Sequence, residues 1–143
     1  MMTRRVIALD IGEARIGVAV TDPLGLFAQG IAVWRAENWR KNFEECIARY
    51  DPELILLGLP RRTDGSYGPE AEKIERLAEE LRALYPDRLF DTWDERYTTV
   101  IAQRVLLEAD LSRKKRKERV DKIAAALILQ NWIDFKNHSE SSL

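Results

Sequence analysis

Three carboxylates in this chain stand where folding alone has little use for an acid: Asp10, Glu95 and Asp121. Asp10 closes the apolar run Val6-Ile7-Ala8-Leu9, and Glu95 lies in Asp94-Glu95-Arg96, just past Leu89-Phe90 and Trp93. Asp121 precedes Ile123-Ala124-Ala125-Ala126-Leu127-Ile128-Leu129, the most apolar segment of the chain. On a helix its i+3, i+4, i+7 and i+8 neighbours are Ala124, Ala125, Ile128 and Leu129, so it sits at the mouth of a core-facing stripe. Acids enter such places when paired or bound to a cation. If the fold gathers these three, their repulsion calls for a divalent ion that takes hard oxygen ligands, Mg2+ or Mn2+, as one ion or two. Phosphodiester hydrolysis needs a deprotonated water, a stabilised phosphorane and a neutralised leaving oxygen, and such ions meet all three needs. Taken singly, each acid has a plainer explanation. Asp10 is then a turn or capping acid, Asp121 a helix N-cap, and Glu95 half of an exposed ion pair with Arg96.

A phosphate-bearing substrate also needs cations. Arg113-Lys114-Lys115-Arg116-Lys117-Glu118-Arg119 carries six positive charges in seven residues immediately before Asp121. A basic run is ordinarily a solvated loop or helix start; this one lacks apolar spacing, which predicts mobility without a ligand. Its place beside Asp121 suits a phosphate backbone. Arg61 and Arg62 follow an apolar strand, at the sheet edge where open α/β folds place ligands, and Arg15 lies close behind Asp10. The candidate nucleic-acid contacts are therefore Arg15, Arg61, Arg62, Arg113, Lys114, Lys115, Arg116 and Lys117. Tyr67 and Tyr97 are candidates for base stacking, with rim or core packing the plainer role for Tyr97.

Composition narrows the chemistry further. A chain of 143 residues with 45% hydrophobic content makes one domain with a sizeable core, and a formal charge of −1 provides no global field for polyanions. Cys46 is the only cysteine, which excludes an internal disulfide and suits a reducing compartment. It shares a helical face with Trp39, Phe43, Ile47 and Tyr50, as a buried thiol does. The only histidine, His138, lies in a polar tail, which argues against imidazole catalysis and zinc clusters. No apolar stretch approaches the ~20 residues of a membrane span, and no signal peptide is visible, so a soluble cytoplasmic protein is expected.

The elements that must position these residues follow from the apolar pattern. Val6–Leu9 reads as a buried strand, joined through Gly12–Arg15 to a hairpin partner at Ile16–Thr21, with a third strand at Gly30–Trp34. An amphipathic helix spans Asn38–Tyr50, and Leu54–Leu59 is a central parallel strand apolar on both faces. A Gly- and Pro-rich loop leads to a helix beginning at Pro69, with the stripe Ile74, Leu77, Ala78, Leu81 and Leu84. A strand at Arg88–Trp93 precedes helices at Thr98–Ala109 and Val120–Phe135. This order predicts an α/β three-layer domain over residues 1–135, a mixed sheet with helices on both faces, and a disordered tail over 136–143.

Three segments then resemble one family. Asp10-Ile-Gly-Glu-Ala-Arg15-Ile-Gly17-Val-Ala-Val-Thr21-Asp22 is similar to its opening motif. Gly58-Leu59-Pro60, with Asp64-Gly65 and Gly68-Pro69, is similar to its middle loop, and Asp94–Thr99 with Val120–Ala125 to its closing pair. The family is YqgF, also called RuvX, whose members are regarded as Holliday-junction resolvases or as pre-16S ribosomal RNA nucleases. The resemblance runs from Val6 to Asp134. It implies an RNase H-like fold with a five-stranded mixed sheet, and Asp10, Glu95 and Asp121 as the acidic cluster of a metal-dependent nuclease. Two features depart from relatives: Ala124 stands where better-studied junction resolvases carry a further aspartate, and Arg61-Arg62 where many relatives have an apolar residue and an asparagine.

The resemblance favours processing of the 5' end of pre-16S ribosomal RNA. The alternatives are a DNA junction resolvase acting as a dimer, and a non-catalytic nucleic-acid-binding module in transcription or ribosome assembly. Both a monomer and a homodimer are compatible with these readings. The opening motif also looks like the phosphate-binding start of actin-like ATPases and sugar kinases, but those close two such domains over a nucleotide and this chain supplies one.

Overall fold

The computed structural model describes residues 4–60, 64–94 and 113–141, with side chains from residue 119 to 137 in the last segment. Five strands form one sheet: β1 (Val6–Ile11), β2 (Arg15–Thr21), β3 (Ala28–Arg35), β4 (Leu54–Leu59) and β5 (Leu89–Asp94). Three helices accompany them: α1 (Trp39–Tyr50), α2 (Pro69–Leu84) and α3 (Arg113–Ser141). The strand order is β3-β2-β1-β4-β5. The hairpin-linked β1, β2 and β3 pair antiparallel, whereas β4 and β5, each entered from a helix, run parallel to β1. Among the described residues no helix is long and apolar enough to cross a membrane.

Alternation along the strands builds two cores. Ile7 and Leu9 of β1 face α1 and α2, joining Ile16, Val18, Ile55, Leu57, Phe43, Ile47, Ile74 and Leu81. Val6 and Ala8 face the other way, joining Ala19, Leu56, Ala125, Ile128, Leu129 and Ile133 under α3. β1 and β4 are apolar at every buried position because both their faces are covered. Cys46 lies in the first core, and burial pushes its thiol up to about 11. Trp34 and Trp39 pack on the same core, Trp93 and Trp132 on the other, so all four tryptophans are anchors.

The last helix corrects three expectations. It begins at Arg113 rather than Val120, so the basic run forms its first two turns and is not a loop. Asp121 consequently stands inside the helix, which removes the N-cap explanation for it. The helix also continues through Ser141, so most of the tail expected to be disordered is helical. No Gly or Pro interrupts residues 113–141, and Arg, Lys, Ala and Leu are strong helix formers. The expected helix at Thr98–Ala109, with Tyr97, lies outside the described residues.

Candidate active site

The site grows from one cross-strand pair. Asp10, near the end of β1, is the partner of Gly17 in β2. Directly opposed residues on antiparallel strands share a face of the sheet. The alternation from Val6 and Ala8 puts Asp10 on the α3 face. A Cβ added to Gly17 would overlap the carbonyl of Asp121, so the α3 backbone rests directly on β2 at this point. A second contact lies one strand over, where a Cβ on Gly30 would meet the Lys122 carbonyl oxygen at 2.9 Å. Two strand glycines thus let the helix descend until Asp121 lies above the neighbour of Asp10.

Arg15 completes what is visible here. It opens β2 two residues before Gly17 and so shares its face. Its Nε donates to Oδ2 of Asp121 at 2.7 Å, with the two side chains 35% and 21% exposed. Asp121 is therefore a half-buried carboxylate already facing a cation. The sheet edge beside it holds a groove of about 570 Å3, lined by Arg15, Trp34, Arg35, Glu37 and Lys122 among others.

Of the three predicted acids, Asp10 and Asp121 come to one face of the sheet. Glu95 directly follows the last residue of β5 and lies outside the described residues, as do Arg61 and Arg62. Among the described residues no group of three His, Cys, Asp or Glu side chains is placed to hold a metal. The two acids on this face, Asp10 and Asp121, carry hard carboxylate oxygens, which fit Mg2+ or Mn2+ in type. Arg113, Lys114, Lys115, Arg116 and Lys117 lie on the helix that carries Asp121, one to two turns before it. Tyr67 is exposed, beside Leu59 and Thr92 in a cleft against α2, on the opposite face of the sheet.

Sequence reasoning missed Arg35, Lys122 and the role of Gly30. Arg35 pairs with Arg15 across the β2–β3 ladder, a register that includes an irregularity at Val18/Ala19. Counting residues from either strand alone does not find it.

The sequence model of the RuvX family, described as Holliday junction resolvase, matches residues 4–135. A relative from Thermoanaerobacter pseudethanolicus named "Putative pre-16S rRNA nuclease" is 45% identical over 134 residues, covering 91% of this chain and 96% of that protein. One of the same name from Heliobacterium modesticaldum is 47% identical over 139 residues, covering 94% and 91%. Among solved structures, RuvC of T. thermophilus in complex with a Holliday junction substrate superposes with a TM-score of 0.58 at 16% identity, covering 95% of this chain and 97% of that one. The yeast mitochondrial Holliday junction resolvase Ydc2 gives 0.54 at 12% identity, covering 99% and 85%. These likenesses show the fold to be RNase H-like, as the family resemblance implied, and it is the α/β three-layer domain that the order of elements predicted.

Proposed function

Because the chain belongs to the RuvX family, we propose that it is a metal-dependent nuclease that hydrolyses phosphodiester bonds in structured nucleic acid, and that its substrate is the 5' end of pre-16S ribosomal RNA. The observation that supports this reading best is the descent of α3 onto Gly17, the cross-strand partner of Asp10, with Arg15 paired to Asp121.

In this reading Asp10, Asp121 and Glu95 hold Mg2+ or Mn2+. The bound ion would supply a nucleophilic water at neutral pH and charge for the leaving oxygen. The chain's own groups do the rest. Arg15, held at Asp121 in the absence of substrate, turns its guanidinium to a phosphate oxygen when one arrives, a geometry that planar fork matches. Arg61, Arg62 and the cations from Arg113 to Lys117 bind the flanking backbone and position it without reading sequence. The work takes place in the cytoplasm, where ribosomal precursors are.

The family description favours a second substrate, a four-way DNA junction. Resolution of a junction requires a symmetric dimer presenting two sites, whereas RNA processing does not. The test is cleavage of a pre-16S RNA fragment and of a four-way junction with Mg2+ or Mn2+, alongside Asp10→Asn and a sedimentation measurement of oligomeric state. Cleavage of RNA alone, abolished by Asp10→Asn, is expected. A wild-type protein that binds either substrate and cuts neither would transfer the reading to a non-catalytic binding module.

A further inference from the structure

We infer that the groove between β3 and the α3 turn that carries Lys122 holds one single strand of polynucleotide on its way to the acidic site, with Arg35 and Lys122 gripping its phosphates. The inference deepens the nuclease reading and rests on it for the identity of the strand.

Three observations lead there. Arg15 and Arg35 are opposed in the β2–β3 ladder, and like charges so placed destabilise a sheet unless an anion joins them. Arg15 is engaged by Asp121, whereas Arg35 is exposed and has no ion-pair partner among the described residues. Lys122 is the residue next to Asp121, and its backbone is fixed by the close approach to Gly30, so an exposed ammonium is held at the groove wall. Three cations against one acid, Glu37, is a pattern by which a polynucleotide backbone is held, the charge following the phosphates.

The groove is also continuous with the site, because Arg15 belongs to both. A strand seated on Arg35 and Lys122 has its next phosphate at Arg15, hence beside Asp121. Phosphate contacts carry no sequence information, so the groove sets polarity and register rather than choice of sequence.

The test is binding of labelled single-stranded RNA and DNA of one sequence, without divalent metal, over a range of salt, for wild type, Arg35→Gln, Lys122→Gln and the double variant. Both residues are exposed, and unchanged thermal midpoints would confirm intact folds. The salt slope of log affinity should flatten by about 0.7 for each single variant and about 1.4 for the double, the value expected for phosphates on a single strand. Arg49→Gln, whose guanidinium lies over Tyr50 on α1, should leave the slope unchanged. A loss shared by RNA and DNA assigns the groove to the common backbone, and a loss on RNA alone assigns it to the ribose as well. An unchanged slope in the double variant overturns the inference, as does displacement by polyglutamate equal to that by oligonucleotide, which would give the groove to an acidic protein. A wild type that binds through these residues yet cleaves nothing with metal would remove the nuclease reading and leave the groove standing.

Discussion

Gly17 is the residue on which the position of Asp121 depends. A methyl group there has no room, because what it meets is helix backbone rather than the end of a flexible side chain. Gly17→Ala should cost about 1–3 kcal/mol, as overpacking does, read from the denaturant midpoint. It should also lift α3 from β2 and lower cleavage under any assay that detects wild-type activity. Gly30→Ala, whose contacts begin at 2.9 Å, should cost less than Gly17→Ala. Equal costs would mean that α3 does not rest where the structure has it. Cys46 offers a check on the opposite core. With its thiol raised to about 11 and buried, alkylation at pH 8 should proceed only through opening of the fold, and should speed up in step with added denaturant. Rapid labelling in native buffer would contradict the packing of α1.

At the scale of elements, the strands and the first two helices were legible because each has its own period. Strand alternation and the stripe from Ile74 to Leu81 are written in consecutive residues. The start of α3 was not, because a search for apolar spacing begins where apolar residues begin, while Arg113–Arg119 continues a helix whose packing comes later. Nor was the partnership of Arg15 with Asp121 legible, since it joins residues 106 positions apart. Asp10 and Asp121 were visible as two misplaced acids, but the glycines that let α3 approach β2 gain meaning only from the sheet register. Helicity also reshapes what the basic run can do. Positions 114 and 117 precede 121 by seven and four residues, the helical spacing of one face, whereas 115 and 116 precede it by six and five. Neutralising Lys114 and Lys117 together should therefore flatten the salt slope of nucleic-acid binding by about 1.4–1.8, and neutralising Lys115 and Arg116 by clearly less. Equal effects would indicate a diffuse attraction.

The β2–β3 turn should be sensitive to acid. Asp22 accepts hydrogen bonds from the backbone N–H of Leu26 at 2.7 Å and Phe27 at 2.8 Å, and α3 reaches the same turn through Gln130, which accepts from the Ala28 N–H at 2.9 Å. The N–H of Phe27 leads the contacts that hold the Asp22 carboxyl below its ordinary 3.8. A carboxyl depressed in the folded state contributes stability above its unfolded pKa and loses it as pH falls through the folded value. Wild type should thus lose stability on acidification below 3.8 more steeply than Asp22→Ala, which should be the less stable of the two at neutral pH. Parallel acid melts would show that the turn contributes nothing through this charge.

For the whole molecule, the formal charge of −1 conceals a division. Arg113–Arg119 carries a net +5, which leaves −6 on the remainder of the chain, so a polyanion is drawn to the end of the molecule where α3 meets Asp10. The candidate metal site sits in the same place and ties the two charges together. A divalent ion that binds only the folded state stabilises it by RT ln(1 + [L]/Kd), about 2.7 kcal/mol at a hundredfold excess over Kd. Thermal melts with millimolar Mg2+ or Mn2+ should therefore show a higher midpoint for wild type and a smaller rise for Asp10→Asn. Without metal, Asp10→Asn should raise the midpoint by removing one repelling charge, though only slightly, because Arg15 already offsets Asp121. Arg15→Gln separates the parts. It should lower metal-free stability by about 1 kcal/mol or less, as a partly exposed pair does, and enlarge the metal-induced rise, since the guanidinium no longer competes for Asp121. If metal leaves the wild-type midpoint unmoved and Asp10→Asn destabilises the metal-free protein, Asp10 is a structural acid, and the chain binds nucleic acid without cutting it.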